Sequence, residues 1–166
     1  YVNYNVQKGK FTVQAGLRAE QTVSKGELVA KTTQDYEKID RNYVNFFPSA
    51  AVTYQVNEKN SLNLTYSRRI DRPSYQNLNP FEYRLDELSY SKGNVNLRPQ
   101  MTNSIDLTHT FMYMVNTTLS YARTDDFFTE ITDTTETTRS YISPKNLGYQ
   151  EYYSFNIGTP LPLAKW

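Results

Sequence analysis

The chain of 166 residues has no cysteine, one histidine and one tryptophan. Zero cysteines exclude a disulfide framework, thiolate zinc sites, iron–sulfur clusters and a cysteine nucleophile. One histidine leaves little room for a multi-histidine metal centre or a histidine relay. Charge of one sign is missing too. The 18 basic and 17 acidic side chains leave a net charge of +1, with no electrostatic footprint for nucleic acid. There is no run of 18 apolar residues, and the mean hydropathy of -0.70 argues against membrane-crossing helices. That argument does not reach strands, which hide their apolar residues at every second position. The chain starts Tyr1-Val2-Asn3, without Met or a basic-then-apolar leader, so it reads as a processed chain or a piece of something longer.

What is present favours β structure. Tyrosine occurs 15 times, phenylalanine 8 times and threonine 19 times, against six glycines and seven prolines. Aromatic and β-branched residues suit a pleated surface. With 38% apolar residues and almost no net charge, the composition is that of a folded chain.

Alternation is the strongest signal. Phe11, Val13, Ala15, Leu17 and Ala19 are apolar, and Thr12, Gln14, Gly16, Arg18 and Glu20 between them are not. Such a period of two marks a strand with one apolar face. It recurs at Val2, Tyr4 and Val6; at Ala50, Val52, Tyr54 and Val56; at Leu62, Leu64 and Tyr66; and at Ile105, Leu107, His109, Phe111 and Tyr113. Tyr149, Tyr153, Phe155 and Ile157 share a face interrupted by Glu151, and Arg123 falls on the apolar side of the segment holding Leu119 and Tyr121. No window shows a helical repeat.

The expected strands are 1–7, 11–23, 42–56, 61–72, 101–115, 117–131 and 139–158. Several run well past the five or six residues usual in soluble sheets and match the 9–11 needed to cross a bilayer at a tilt. Their connections alternate. Short ones fall at Lys8-Gly9-Lys10, at Asn57 to Asn60 and at the Val115-Asn116 corner; long ones fall near 24–40, 73–100 and 132–139. A membrane barrel sorts its loops this way, with short periplasmic turns and long extracellular loops. Aromatics such as Tyr43, Phe46 and Phe47 near strand ends fit interfacial girdles. The fold class expected is therefore all-β: an antiparallel transmembrane β-barrel section of about seven or eight long strands. Bacterial barrels use even counts, and an open apolar sheet would leave bare edges, so a section of a larger barrel is the expectation. Thr159 to Pro162 reads as a turn, with Leu163 to Trp166 starting an eighth strand.

Four blocks between 43 and 107 carry a resemblance. They are Phe47-Pro48-Ser49, then Tyr66-Ser67-Arg68-Arg69-Ile70-Asp71-Arg72-Pro73, then Leu78-Asn79-Pro80-Phe81, then Lys92-Gly93-Asn94-Val95-Asn96-Leu97-Arg98-Pro99-Gln100. In this order they resemble the C-terminal half of TonB-dependent outer-membrane receptors, in particular the barrel family common in Bacteroidetes-type bacteria. The last block departs from that pattern at Val95, where proline is usual, and at Gln100, where glutamate is usual. The resemblance covers about 110 residues, from near Tyr43 to near Tyr153, and includes no plug domain and no TonB box.

The resemblance implies a bacterial outer-membrane location and energy-coupled uptake of a bulky nutrient: an iron chelate, a corrinoid, a glycan or a peptide. It implies as partners the outer-membrane lipid, the TonB complex (through parts outside this chain) and a surface lipoprotein. No catalysis, cofactor or nucleic-acid partner is expected. Loop 73–100 is the candidate for solute contact through Tyr75, Phe81, Tyr83, Arg84 and Tyr90, since loops on a rigid scaffold often carry binding. Arg69 is added as a lumen-facing candidate, and Arg68, Arg69 and Arg72 near Asp71 as an ionic rim. Pro73 should end its strand, and Gly93-Asn94 suits a tight turn.

Other constellations read as structural. His109 falls on the apolar side of its strand, as a packing residue. Asp125, Asp126 and Glu130 lack the spacing of a calcium loop. Asn63 and Asn116 begin chance glycosylation triplets, and Thr132 to Thr138 reads as an exposed loop. No phosphate loop, nucleophile elbow or zinc spacing occurs. Two other readings fit the composition: a complete small outer-membrane barrel with an adhesin or structural role, and a soluble carbohydrate-binding β-sandwich.

Overall fold

A computed structural model describes residues 1–27, 38–136 and 139–160. Seven strands form one antiparallel sheet. In spatial order they are β1 (Val2–Lys8), β2 (Phe11–Glu27), β3 (Lys38–Asn57), β4 (Asn60–Asp71), β7 (Gln100–Phe111), β8 (Val115–Asp125) and β11 (Tyr149–Gly158). The other elements lie between them in sequence: α1 (Tyr75–Leu78), β5 (Tyr83–Arg84), β6 (Ser89–Ser91), β9 (Phe128–Glu136) and β10 (Arg139–Asn146).

Register turns the sequence alternation into rows. One row runs Val6, Val13, Val52, Leu64, Leu107, Leu119 and Phe155, one residue from each strand. The next runs Tyr4, Ala15, Ala50, Tyr66, Ile105, Tyr121 and Tyr153. The opposite face carries Asn5, Gln14, Ala51, Thr65, Asp106, Ser120 and Ser154. Slipping any strand by one residue would swap polar for apolar, so the pattern fixes the register.

The apolar rows are not covered by protein. Among the described residues only Phe47 and Leu97 are buried large hydrophobics, whereas Leu64, Leu107, Leu119 and Phe155 all stand exposed. An apolar band across seven strands far exceeds what a soluble monomer exposes, and its solvent is lipid. This overturns the soluble sandwich.

Both edges of the band are built. On one side Tyr66 Oη donates to Asn103 Oδ1 at 3.0 Å and Tyr121 Oη to Glu151 Oε1 at 2.9 Å. The acceptors belong to a polar row, Arg68, Asn103, Arg123 and Glu151, at the end of the band. Tyrosine here joins an apolar body to a wet tip, as an interfacial girdle requires. On the other side Phe11 stacks on Tyr54 at 4.6 Å, and His109, half-buried on the outer face, shares a 3.0 Å hydrogen bond between Nε2 and Asn60 Oδ1.

Connections alternate as expected. Short turns join β1 to β2, β3 to β4 and β7 to β8; long connections join β2 to β3, β4 to β7 and β8 to β11. The corner expected at Val115-Asn116 lies at Met112 to Met114, where Met112 and Tyr113 both take positive φ and Met114 N donates to Phe111 O at 3.1 Å. The connection expected at 24–40 is shortened by β2 and β3, and 28–37 fall outside the described residues. The eighth strand expected from Leu163 also falls outside them.

The two last strands expected, 117–131 and 139–158, are each two. β8 pairs with β11 and β9 with β10, so they form one long hairpin, bent where Asp126 takes a φ of 54° opposite Gly148. Asp126 N donates to Gly148 O at 2.9 Å and Leu147 N to Phe127 O at 2.6 Å, so pairing persists through the bend. Alternation sees each strand but not the bend, because local twist leaves no mark on period.

Candidate functional site

Two of the long connections, from β4 to β7 and from β8 to β11, meet at one end of the wall. Beyond the bend, β10 leaves β11 and pairs in parallel with β6, so β5, β6, β10 and β9 make a second sheet of four strands. Two loops distant in sequence become one body.

A junction built from the Gly93 block holds that body to the wall. Arg41 of β3 donates from Nη1 to Leu97 O at 2.8 Å and from Nη2 to Val95 O. Leu97 is fully buried. Asn94 Nδ2 donates to Pro144 O at 3.1 Å, and Asn146 Nδ2 donates to Arg98 O at 3.0 Å and Asp126 O at 2.7 Å. Gly93 N donates to Asn79 O, Asn94 N to Asn77 O and Lys92 N to Ile142 O. The expected tight turn forms from Asn94, with Leu97 N donating to Asn94 O at 3.1 Å, but Gly93 takes no positive φ and packing is what demands it. A Cβ on Gly93 would sit 2.5 Å from Asn79 O and 2.7 Å from Asn77 O, so backbone proximity demands the glycine.

One face of the second sheet gathers rings and cations. Register aligns Arg84, Tyr90, Tyr141 and Asp133 across β5, β6, β10 and β9. The Tyr90 and Tyr141 rings lie 5.8 Å apart. Lys92 Nζ sits 4.3 Å from the Tyr141 centroid and the Arg139 guanidinium 5.3 Å from that of Tyr90. Lys145 Nζ pairs with Asp133 Oδ2 at 2.9 Å, and Lys92 reaches Glu82 at 4.0 Å.

Of the residues expected to touch solute, Arg84 and Tyr90 enter this row. Tyr83 faces the other side of β5, its Oη accepting from Asn79 Nδ2 at 3.4 Å. Tyr75 is 79% exposed on α1 and Phe81 is also exposed, and neither joins the cluster. Tyr141, Lys92, Arg139 and Lys145 were not legible as site residues. Three lie in the 139–158 segment, where a strand was expected but no partner for it in loop 73–100 was visible.

Arg69 lies apart, in the wall. It lines a polar groove of about 580 Å³ on the inner face with Asn3, Gly16, Ser67, Thr65 and Asp106. Thr65 Oγ1 donates to Asp106 Oδ2 at 3.3 Å. The ionic rim also differs from expectation. Arg72 reaches past β3 to β2, bonding Glu20 Oε2 at 2.9 Å and Thr22 Oγ1 at 3.0 Å, while Asp71 accepts from Gln100 Nε2 at 3.0 Å. Arg68 falls on the outer face and Arg69 on the inner, as strand alternation dictates. The Arg72 hydrogen bond, with Arg18 beside it, holds the Glu20 carboxyl below its ordinary pKa. In the loop, the backbone N–H of Leu88 and the Ser89 side chain lower that of Asp86.

Asp125 pairs with Arg123 at 2.9 Å and Asp126 with Arg98 at 2.7 Å, while Glu130 stands exposed on β9. These carboxylates are spread over separate partners rather than converging. Among the described residues no group of three or more His, Asp or Glu side chains is placed to hold a metal ion.

Solved outer-membrane receptors share this fold. The hemophore receptor HasR of Serratia marcescens, solved as a double mutant with its hemophore HasA and heme, aligns with a TM-score of 0.65 at 15% identity, over 91% of this chain and 30% of its own. The siderophore receptor PirA of Pseudomonas aeruginosa aligns with 0.62 at 14%, over 93% and 32%. The ferric enterobactin receptor PfeA of the same species, a mutant in complex with enterobactin, aligns with 0.59 at 14%, over 95% and 23%. The chain therefore spans about a third or less of those proteins. No curated protein matches the sequence. The model of the outer membrane protein beta-barrel family matches residues 1–166, the whole of the chain, which belongs to that family and to the bacterial outer membrane.

Proposed function

We propose that this chain is wall and loop of a TonB-dependent receptor that takes up a bulky nutrient, binding it without chemical change. The observation that carries the reading is the second sheet. Two long connections on one side of a lipid-facing wall fold into a single surface bearing tyrosines, lysines and arginines. Loops held on a rigid scaffold are where binding is found. Iron chelates, corrinoids, glycans and peptides are the candidate cargoes. The energy-coupling contacts with the TonB complex would lie in parts beyond these residues, and a surface lipoprotein would dock over the loop side.

Uptake tests it. Cells lacking the gene should fail to accumulate one labelled solute among those classes. Complementation should restore uptake, and a protonophore should abolish it. Uptake unchanged by deletion for every class would overturn the reading. A protein of the chain's own mass, folded in outer membranes and importing nothing, would favour the adhesin instead.

A further inference from the structure

We infer that the rim of short turns, at the end of the wall opposite the loops, is a binding site for anionic phospholipid, held by its phosphate at Lys8, Lys10 and Lys59.

Three turns make that rim one body. They join β1 to β2, β3 to β4 and β7 to β8. Gln55 N donates to Lys10 O at 2.8 Å and Lys10 Nζ to Val56 O at 3.0 Å, which ties the first turn to the second. Met112 N donates to Lys59 O at 2.7 Å, which ties the second to the third. Residues of all three line a concavity of about 800 Å³, among them Lys10, Glu58, Lys59 and Tyr113. The amides there bond one another. Gln55 Nε2 donates to Asn57 O at 2.7 Å and Asn60 Nδ2 to Asn57 Oδ1 at 2.9 Å, so they shape the turn and leave the ammonium groups to meet a ligand.

Charge at this rim is unbalanced. Glu58 is the one carboxylate in the three turns, against Lys8, Lys10 and Lys59. All three lysines stand exposed, and among the described residues none of them has an ion pair. The loop end differs, since Arg72, Arg98 and Arg123 each have a carboxylate within 2.9 Å. A surplus of cations without a counter-ion of its own attracts anions from outside the chain.

Position decides which anion. Lys8 pairs in register with Phe11, in the outer-face row that continues through Tyr54, Leu62 and His109. The Phe11 and Tyr54 rings stack in that row, and Met112, Tyr113 and Met114 stand exposed on the third turn. Lysines beside rings at the edge of an apolar band lay their stems on hydrocarbon and raise their ammonium groups to the headgroups. A soluble anion gains only from the charges there, whereas a phospholipid also sets its chains against the apolar band. Lysine suits phosphate because its ammonium is a compact point charge.

The test is equilibrium binding of radiolabelled phosphatidylglycerol or phosphatidylcholine to the full-length protein in detergent. Phosphatidylglycerol should bind roughly tenfold or more tightly, as several lysines near a lipid surface provide, and more weakly as sodium chloride rises. Lys8→Gln/Lys10→Gln/Lys59→Gln should lose that preference. Lys8→Arg/Lys10→Arg/Lys59→Arg keeps the charges and should hold it within a few-fold, which separates charge loss from disruption of the turns. Arg68→Gln, which removes an exposed arginine from the outer face at the loop end, should leave the preference intact. Inorganic phosphate at the lipid's own concentration should displace none of it. Equal binding of the two lipids, a preference undiminished in the glutamine variant, its loss in the arginine variant or in Arg68→Gln, or displacement by phosphate would each overturn the inference.

Discussion

Arg41 and Leu97 are 56 positions apart in sequence, yet the guanidinium of one holds the carbonyl of the other at 2.8 Å. The bond crosses from the wall to a loop whose other contacts run to α1, to β10 and to Asp126 at the bend. The Gly93 block is thus a joint between three pieces. Its departures from the family pattern fit that role: Val95 offers a carbonyl to Arg41, which needs no proline, and Gln100 accepts from Phe128 N at 3.2 Å as well as bonding Asp71.

Removing the Arg41 side chain should therefore loosen both loops together. In Arg41→Ala, backbone amides of β6 and β10 should exchange hydrogen faster while those of β7 and β8 remain protected. Exchange followed by mass spectrometry checks this. Faster exchange confined to 92–99 would show that the loops are held independently. The cost should be about 1.5–3 kcal/mol for a charged donor leaving two carbonyls.

Gly16 and Gly93 make a controlled comparison. A Cβ at Gly16 meets Asn3 Oδ1 and Ser49 Oγ at 2.7 Å, the far ends of side chains able to move aside. At Gly93 the obstacles are backbone atoms. Gly93→Ala should cost about 1–3 kcal/mol by overpacking, and Gly16→Ala well under that. Urea denaturation of both variants in lipid vesicles reads the difference, and an equal loss would mean that the loop backbone yields.

Sequence reading reached the wall more fully than the loops, for a physical reason. A strand facing lipid repeats its demand at every second residue, so Val13, Leu64, Leu107 and Leu119 announce their face wherever they stand. The parallel pairing of β6 with β10 rests on three backbone partners between segments about fifty residues apart. Ser89, Tyr90 and Ser91 carry no alternation long enough to reveal it. Tyr90 was recognisable as an aromatic in a loop, but Tyr141 was not recognisable as its neighbour. The same limit hid Glu20 as the partner of Arg72, since Asp71 lies beside it in sequence but strand alternation carries it elsewhere.

The Glu20–Arg72 pair lies past the end of the apolar band and gives a pH dependence. The pKa of Glu20 is lowered in the folded protein, chiefly by the hydrogen bond from Arg72. Its contribution is therefore present above the ordinary glutamate range and lost as pH falls through the depressed value. Arg72 stays charged throughout that window. Protection of the β2–β4 rim against acid proteases should fall with pH below the ordinary range in the parent, and be weaker and pH-independent through this pair in Glu20→Gln. The same acid profile in both would remove Glu20 as its cause.

Leu119 and Ser120 are adjacent on β8 and face opposite solvents. Leu119 sits mid-band in a row of seven apolar side chains, and Ser120 lies among Asp106 and Ser154 on the inner face. An arginine placed in the band must carry its charge into hydrocarbon, at about 2–4 kcal/mol near the midplane. One placed on the inner face stays hydrated beside a carboxylate. Leu119→Arg should therefore lower stability in phospholipid vesicles by that amount, and Ser120→Arg should change it by roughly 0.5 kcal/mol or less, as a solvated substitution does. Unfolding followed by the gel shift between folded and heat-denatured barrel measures both. The reverse order would exchange the two faces of the wall, and with them the side on which Arg69 and its groove lie.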